Sequence, residues 1–211
     1  MSKIFGLFGA GGNGREIVVW AKEFKDKEIY FVDDAKAGQS INGKETISTE
    51  NFLALESQEK FFNISIAHSK VRKEIATMLL TKKCKPLQLK SSTTNIYQPS
   101  DIDEGAVFCD FTKVSPNVKI GKFFHCNTLS HIAHDCVIGD FVTFATQVNC
   151  NGNIIIEDMA YIGSGAVLRN GNNDRPLKIG TNSIVGMGAV VTRDVEPNST
   201  VIGNPARKMK S

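Results

Sequence analysis

The sequence lacks long apolar segments and carries little excess charge. No apolar run approaches the roughly 18 residues that a membrane-spanning helix needs, and no secretory leader pattern precedes the first apolar segment. The net charge is only +3, which is too small to make nucleic acid or an anionic membrane the main partner. We therefore expect a cytoplasmic protein that binds neither nucleic acid nor a membrane.

Cysteine is scarce and shows no ligand spacing. The five cysteines are an odd number and contain no CxxC pair, so neither a disulfide framework nor a zinc site is expected. Cys126 and Cys150 fall at inward positions of a repeat in the second half of the chain, where a reduced thiol acts as a small apolar side chain. We expect reduced, buried thiols and no metal.

Residues 1–90 alternate apolar strands with helical segments. Strands are predicted at Ile4–Phe8, Glu28–Val32, Lys60–Ala67 and Pro86–Leu89, and helices at Arg15–Phe24, Asn51–Glu56 and Ser69–Leu80. This order predicts a parallel sheet, a short Rossmann-like α/β domain. Ligands of such sheets bind at the carboxyl ends of the strands. The polar segment Ser91–Asn95 is predicted to be a linker.

A glycine-rich loop follows the first predicted strand. Gly9-x-Gly11-x-x-Gly14, with Asp33 and Asp34 about 20 residues further on, matches the dinucleotide fingerprint and taken alone indicates NAD. The domain is too short for two mononucleotide halves, and the rest of the chain shows no hydride-transfer architecture. A tight strand-to-helix turn is the simpler alternative.

Residues 96–211 repeat with a period of six. Thirteen consecutive apolar residues keep one phase: Ile96, Ile102, Phe108, Val114, Ile120, Cys126, Ile132, Ile138, Phe144, Cys150, Ile156, Ile162 and Leu168. The phase slips once, across 169–178, which is predicted to be a protruding loop. A period of six fits neither a helix nor a plain strand. It predicts a prism of short strands in stacked coils, the parallel β-helix.

This repeat places His134 at a corner of the prism. Ile132 points inward, so His134 and Asp135 form the following turn and point away from the core. An imidazole there can take a proton at physiological pH, and a neighbouring carboxylate can orient it. Three repeats make one coil, so Gly152 lies on the same edge one coil further along, about 4.8 Å away. A solvated turn histidine and a plain turn glycine are the alternatives.

Motifs in both halves of the chain resemble one family. They are Gly9–Arg15, Phe-Val-Asp33-Asp34, Ala67 to Arg72, Ile-Ala-His134-Asp135-Cys-Val-Ile-Gly139 and Gly203-Asn-Pro-Ala-Arg207. The chain resembles the sialic-acid O-acetyltransferase-like, hexapeptide-repeat family, whose bacterial members include N-acetyltransferases of nucleotide-linked 4-amino-4,6-dideoxy sugars. The resemblance implies a left-handed β-helix, although parallel crossovers are usually right-handed. It also implies acetyl-CoA as co-substrate.

The resemblance assigns roles at the corner of the prism. His134 matches the general base, Asp135 its partner carboxylate, and the N–H of Gly152 the donor to the carbonyl oxygen. Asn127 matches a residue near the acceptor amine, with a turn-stabilising asparagine as the alternative. Seven residues separate Asn127 from His134, so a shared site requires neighbouring subunits, which fits the homotrimers typical of the family. Thr143 stands where some relatives carry a second active-site histidine, which argues against a two-histidine mechanism.

The resemblance also assigns binding residues. Gly11, Gly12, Asn13, Gly14, Arg15, Asp33 and Asp34 are implied to hold the nucleotide of the acceptor sugar. Ser164 and Met187 match backbone positions on the pantetheine arm, and Arg207, Lys208 and Lys210 could meet the CoA phosphates, unless they form a solvated basic tail. Two alternative functions stay open, an O-acetyltransferase acting on sialic acid or another sugar hydroxyl and a non-catalytic β-helix binding protein.

Overall fold

The computed structural model describes residues 2–209 of the 211-residue chain. The chain divides after Leu89 into two compact units. The predicted fold, an α/β unit with a parallel sheet followed by a left-handed parallel β-helix, is confirmed. Among the residues described, no helix is long and apolar enough to cross a membrane. No three His, Cys, Asp or Glu side chains within 2–209 come together as metal ligands do.

The first unit contains six strands and three α-helices. In chain order they are β1 Lys3–Phe8, α1 Gly12–Ile17, β2 Ile29–Val32, β3 Ser40–Ile41, β4 Lys44–Ile47, α2 Thr49–Ala54, β5 Glu59–Ile64, α3 Ser69–Thr81 and β6 Lys85–Pro86. Three 3₁₀ turns lie between them, at Val18–Trp20, Asp26–Glu28 and Asp34–Lys36. Helices cover a sheet whose central strand is almost fully buried, as parallel sheets require.

The sheet has the strand order β3-β4-β2-β1-β5-β6. β1 pairs in parallel with β2 on one side and with β5 on the other, and only the β3–β4 hairpin is antiparallel. The order therefore reverses between β1 and β5. This switch point is where ligands of open α/β sheets bind, at the carboxyl ends of the strands.

Several predicted elements are wrong in their bounds. The helix predicted at Asn51–Glu56 is Thr49–Ala54, and the strands predicted at Lys60–Ala67 and Pro86–Leu89 are Glu59–Ile64 and Lys85–Pro86. The first helix differs most. The sequence pattern predicts a helix over Arg15–Phe24, whereas α1 spans Gly12–Ile17 and begins inside the glycine loop. The chain leaves helical geometry at Ala21. Phe24 is buried, with its ring centroid 5.5 Å from those of both Phe5 and Phe61. Packing of Phe24 on the sheet therefore overrides the helical periodicity of this segment.

The second unit is built from short strands. In chain order they are β7 Leu89–Lys90, β8 Asn95–Ile96, β9 Ser100–Ile102, β10 Val107–Phe108, β11 Lys113–Val114, β12 Val118–Ile120, β13 His125–Cys126, β14 His131–Ile132, β15 Val137–Ile138, β16 Thr143–Phe144, β17 Asn149–Cys150, β18 Ile154–Ile156, β19 Tyr161–Ile162, β20 Val167–Leu168, β21 Leu177–Ile179, β22 Ile184–Val185, β23 Val190–Val191, β24 Thr200–Ile202 and β25 Arg207–Lys208. Strands β8 to β24 pair in parallel with one another, and β25 pairs antiparallel with β24.

These strands form the three faces of a prism. The faces have the orders β25-β24-β22-β19-β16-β13-β10-β7, β23-β20-β17-β14-β11-β8 and β21-β18-β15-β12-β9. Of the thirteen residues that keep the six-residue phase, eleven are buried in one core, and Ile96 and Ile102 are partly buried at its end. The periodicity therefore identified the core correctly. The phase slip is the loop between β20 and β21.

The predicted linker at Ser91–Asn95 is wrong. Ser91 is buried, and its N–H donates to the carbonyl of Phe108 at 3.0 Å. The N–H of Asn95 donates to the carbonyl of Thr112 at 3.0 Å. The segment is thus a corner of the first coil, and its polar side chains satisfy a turn rather than mark a boundary.

Candidate active site

One corner of the prism brings together His134 and Gly152. β12, β15 and β18 are stacked in register, so the turns that precede them lie one above another. The N–H of Asn153 donates to the carbonyl of His134 at 3.1 Å, and that of Gly171 donates to the carbonyl of Gly152 at 3.0 Å. We call the turns at 115–117, 133–135, 151–153 and 169–171 the catalytic corner.

His134 and Asp135 form an exposed pair at this corner. The side chain of His134 is 55% exposed, and its Nδ1–H donates to Asp135 Oδ2 at 2.7 Å. This hydrogen bond is the main reason that the pKa of Asp135 lies below its usual value, and a hydrogen bond from the Asn117 side chain contributes as well. Asp135 therefore remains a carboxylate at neutral pH and holds His134 Nδ1 as a donor, which leaves Nε2 as the basic nitrogen.

The imidazole of His134 lies directly against the backbone of Gly152. A Cβ atom at Gly152 would lie 2.7 Å from His134 Cε1 and 2.8 Å from Nε2, closer than real Cβ contacts come. Only glycine therefore leaves room for the ring in this position. The arrangement sets a basic nitrogen beside a backbone N–H, the pair of groups that acyl transfer to an amine requires.

The N–H of Gly152 has a partner that the sequence did not reveal. It donates to the side-chain Oδ1 of Asn170 at 3.3 Å. Asn170 is exposed and lies at the catalytic corner, one coil beyond Gly152. Spacing by eighteen residues from Gly152 identifies Asn170, and the same spacing from Asp135 identifies Asn117, so the repeat itself carried a signal for both.

The other two histidines of the second unit, His125 and His131, lie elsewhere on the prism. His125 is buried, and His131 is half-buried on a flat face in register with Lys113 and Asn149. Burial is the main reason that the pKa of His131 lies below its usual value, and the charge of Lys113 adds to it. Thr143 is buried in β16. All five cysteines are buried and reduced.

A second corner holds Asn127, Ser164 and Met187. β13, β16, β19 and β22 stack in register, and the turns that follow them form what we call the donor corner. Asn127 Nδ2 donates to the carbonyl of Phe144 at 2.8 Å, which ties this amide to the next coil. The carbonyl of Ser164 accepts from Gly188 at 2.8 Å, and Met187 is 82% exposed. Within one chain, these residues and His134 occupy different corners.

The basic residues near the carboxyl end were predicted to contact the CoA phosphates. Arg207 and Lys208 form the exposed strand β25, and Arg207 Nη1 donates to the carbonyl of Ala206 at 2.9 Å. Lys210, which sequence reasoning grouped with them, lies outside the described residues. Their assignment to CoA phosphates stays a prediction.

The first unit contains a cavity of about 430 Å³ at the switch point of its sheet. Sequence-predicted residues on its wall are Gly11, Gly12, Asn13, Gly14, Asp33 and Asp34, and Lys36, Thr49 and Ser65 join them without having been predicted. Arg15 is exposed and is not part of the wall. The predicted residues are therefore brought together, with the exception of this arginine.

The glycines and polar side chains shape this cavity in different ways. A Cβ at Gly14 would lie 2.2 Å from the carbonyl oxygen of Gly9, whereas Gly11 and Gly12 face open space. Asp33 accepts from the N–H of Ala10 at 3.1 Å, and Lys36 Nζ donates to the carbonyl of Ala10 at 2.9 Å. The cavity therefore offers bare backbone and the ammonium group of Lys36, which also lies 3.8 Å from Asp33 Oδ2. Bare backbone and an ammonium group suit a phosphate-bearing ligand.

Asp34 and Asn13 brace the walls. Asp34 accepts from the N–H of Thr49 at 2.7 Å and from its hydroxyl at 3.0 Å. Asn13 Nδ2 donates to the carbonyl of Ser65 at 3.0 Å, which joins the glycine loop to the end of β5. Both side chains thus fix the loops that surround the cavity.

Comparison with known proteins gives matches over the first unit and over the whole chain. A family model described as the PglD N-terminal domain matches residues 5–79. The chain is 45% identical to a GDP-perosamine N-acetyltransferase of Escherichia coli O157:H7, over 98% of this chain and 96% of that protein.

Solved structures are similar over the same length. WeeI from Acinetobacter baumannii AYE has a TM-score of 0.97 at 44% identity, and the alignment covers 99% of this chain and 100% of that one. The acetyltransferase domain of PglB from Neisseria gonorrhoeae FA1090, in complex with acetyl coenzyme A, has a TM-score of 0.88 at 25% identity and covers 99% of each chain. By its sequence, its two-unit fold and the histidine set against a glycine at one corner of its prism, the chain belongs to the family of acetyl-CoA-dependent N-acetyltransferases of nucleotide-linked amino sugars.

Proposed function

We propose that the protein transfers the acetyl group of acetyl-CoA to the 4-amino group of a nucleotide-linked 4-amino-4,6-dideoxy sugar. One observation carries this proposal. The exposed imidazole of His134, held by Asp135, lies against the bare backbone of Gly152. The name of the E. coli relative, which is similar over nearly its whole length, supports an amino-sugar acceptor.

His134 acts as the general base. Asp135 accepts the Nδ1–H, so Nε2 takes the proton of the attacking amine as the tetrahedral intermediate forms. The carboxylate then stabilises the imidazolium, as it does beside other catalytic histidines. The proton passes on to the leaving thiolate of CoA, so the reaction needs neither a covalent acyl-enzyme nor a second histidine.

Gly152 serves the thioester. The amine attacks the carbonyl carbon directly, a C–N bond forms, and the C–S bond to CoA breaks. Negative charge develops on the carbonyl oxygen during this step, and a backbone N–H aimed at that oxygen stabilises it. Gly152 also leaves room for the His134 ring beside its backbone, because a side chain there would occupy the position of that ring.

The nucleotide of the acceptor binds in the cavity of the first unit. Gly11 and Gly12 offer backbone that no side chain covers, and Lys36 supplies a positive charge for a phosphate. Asn13, Gly14, Asp33 and Asp34 complete the wall. The carboxylates lie at the end of β2, where an acidic residue commonly accepts a hydrogen bond from a ribose hydroxyl.

The active form is a homotrimer. His134 and Gly152 lie at the catalytic corner, whereas Asn127, Ser164 and Met187 lie at the donor corner of the same chain. A site that uses both sets needs the corner of a second chain. The donor corner exposes two large apolar side chains, Leu129 at 50% and Met187 at 82%, and Phe111, 63% exposed, lies on the same edge in the turn that follows β10. Clustered exposed apolar residues mark interfaces or ligand grooves.

We expect sedimentation equilibrium to give three times the 23.1 kDa chain mass. The variant Leu129→Glu places a charge among these apolar side chains and is expected to shift the protein towards monomer. A wild-type protein that stays monomeric at the concentrations used in the assay, and is active there, contradicts the shared site.

The proposed setting is the cytoplasm. All five cysteines are reduced thiols, which suits a reducing compartment. Acetyl-CoA and nucleotide-linked sugars are both cytoplasmic metabolites.

A panel of acceptors tests the proposed activity. We expect release of free CoA thiol from acetyl-CoA with a nucleotide-linked 4-amino sugar, beginning with GDP-perosamine and its UDP- and dTDP-linked counterparts. The matched control is the same nucleotide sugar with a 4-hydroxyl in place of the amine. Turnover with the hydroxyl compound or with sialic acid, and none with any amine, would instead establish an O-acetyltransferase.

A further inference from the structure

The side chain of Asn170 accepts a hydrogen bond from the N–H of Gly152, the same backbone group that acyl transfer would use. Its Oδ1 accepts the N–H of Gly152 at 3.3 Å. An amide oxygen and a thioester carbonyl oxygen are the same kind of acceptor, and one N–H directs its hydrogen at one acceptor of good geometry. The acetyl carbonyl and the Asn170 side chain therefore compete for one position.

The backbone around Asn170 holds it at this position. The N–H of Gly171 donates to the carbonyl of Gly152 at 3.0 Å, which fixes the turn on the catalytic corner. The loop beyond it closes on itself, because the N–H of Arg175 donates to Asn172 Oδ1 at 2.7 Å. The backbone is thus anchored, while the Asn170 side chain is exposed and can rotate into water.

We propose that Asn170 is a positioning residue of the acetyl-donor site. Its Oδ1 covers the Gly152 N–H when the site is empty, and it yields that N–H to the thioester carbonyl oxygen when acetyl-CoA binds. This inference rests on the proposed function. The long Gly152–Asn170 distance suits a contact that must exchange, because a hydrogen bond at 3.3 Å is weaker than one near 2.9 Å.

Acetyl-CoA and CoA should differ in their effect on Asn170. CoA has no thioester carbonyl, so it does not need the Gly152 N–H and does not displace Asn170. Acetyl-CoA must displace it. A change at Asn170 should therefore alter the dissociation constant of acetyl-CoA and leave that of CoA unaltered. A residue that only supported the loop would alter both constants equally.

Isothermal titration of the intact protein with acetyl-CoA and with CoA measures this ratio. In Asn170→Ala the competing acceptor is gone, and we expect acetyl-CoA to bind about two- to tenfold more tightly, with the affinity for CoA unchanged. In Asn170→Asp a charged acceptor holds the N–H more strongly, so acetyl-CoA should weaken relative to CoA. The new carboxylate repels the phosphates of acetyl-CoA and of CoA equally, so this repulsion cancels in the ratio of the two dissociation constants.

Asn173→Ala is the matched control, since Asn173 is an exposed asparagine of the same loop. It should leave both dissociation constants unchanged. If Asn170→Ala leaves the acetyl-CoA to CoA ratio at the wild-type value, or weakens acetyl-CoA, the positioning role is wrong. In that case the acetyl-transfer assay of the wild type still decides the proposed function separately, because it does not depend on Asn170.

Discussion

Replacing His134 with alanine is expected to lower kcat for acetyl transfer about 10²- to 10⁴-fold, the usual contribution of a positioned general base. The KM for acetyl-CoA should change little, because the imidazole acts on the attacking amine. Release of CoA thiol at saturating acceptor measures kcat. The side chain is more than half exposed. The free energy of unfolding should therefore change by less than about 0.5 kcal/mol, as it does for most surface substitutions, and thermal unfolding measures this change.

His131→Ala is the matched control for this experiment. His131 lies three residues before His134, in strand β14 on a flat face, and is half-buried, so it tests for a general effect of removing an imidazole from this region. We expect its kcat to stay close to that of the wild type. Wild-type turnover by a folded His134→Ala protein would remove His134 from the mechanism.

The second large effect is expected for Gly152→Ala. The new Cβ would lie 2.7 Å from His134 Cε1 and 2.8 Å from Nε2, so the ring must move away from its position. Because the ring is exposed, it can rotate into solvent and the fold should survive. A displacement of about 1 Å costs roughly 100-fold in rate when reacting groups are misaligned, so we expect kcat to fall by about that factor.

A double-mutant cycle separates this mechanism from a general disturbance. If the methyl group acts by displacing the imidazole, adding Gly152→Ala to His134→Ala should have much less effect than it has in the wild type, because contacting residues are not additive. Circular dichroism and thermal melting confirm that each protein is folded. Additive losses in the cycle would show that Gly152→Ala acts independently of His134.

The six-residue pattern was enough to predict the core of the β-helix. Sequence patterns did not predict every segment of the first unit correctly. A six-residue phase held over thirteen units is hard to satisfy in any other fold, and eleven of those residues are buried together. The predicted helix Arg15–Phe24 failed because its periodicity was local, while the burial of Phe24 against Phe5 and Phe61 is a long-range contact. The linker at Ser91–Asn95 failed because polar composition does not distinguish a turn from a boundary.

The position of Phe124, a bulky residue four positions after Ile120 of the repeat, was also explained only by packing. Phe124 stands where most coils carry a small or β-branched residue, and it is fully buried. Its ring lies edge-on to Phe108 at 5.9 Å and to Phe144 at 5.1 Å, measured between centroids. Three aromatic rings from successive coils thus pack edge to face along the core.

The backbone conformation at the corners is regular in a way that the amino-acid composition does not predict. Residues in the left-handed region recur every six positions, including bulky ones such as Phe111 at φ 57°, Leu129 at φ 63° and Asp135 at φ 59°. Such angles are uncommon for residues other than glycine. Here the stacked coils impose the turn, and the ladder of hydrogen bonds on either side of it offsets the local strain.

The sequence by itself determined the two-unit organisation, the inward column of the prism, and the placement of His134 and Gly152 one coil apart, because all three depend on a fixed number of residues per turn. Only the tertiary structure decided that Asp135 holds the imidazole at Nδ1 and that Asn170 covers the Gly152 N–H. These depend on where side chains point across stacked coils, and the spacing of residues along a chain does not specify that direction.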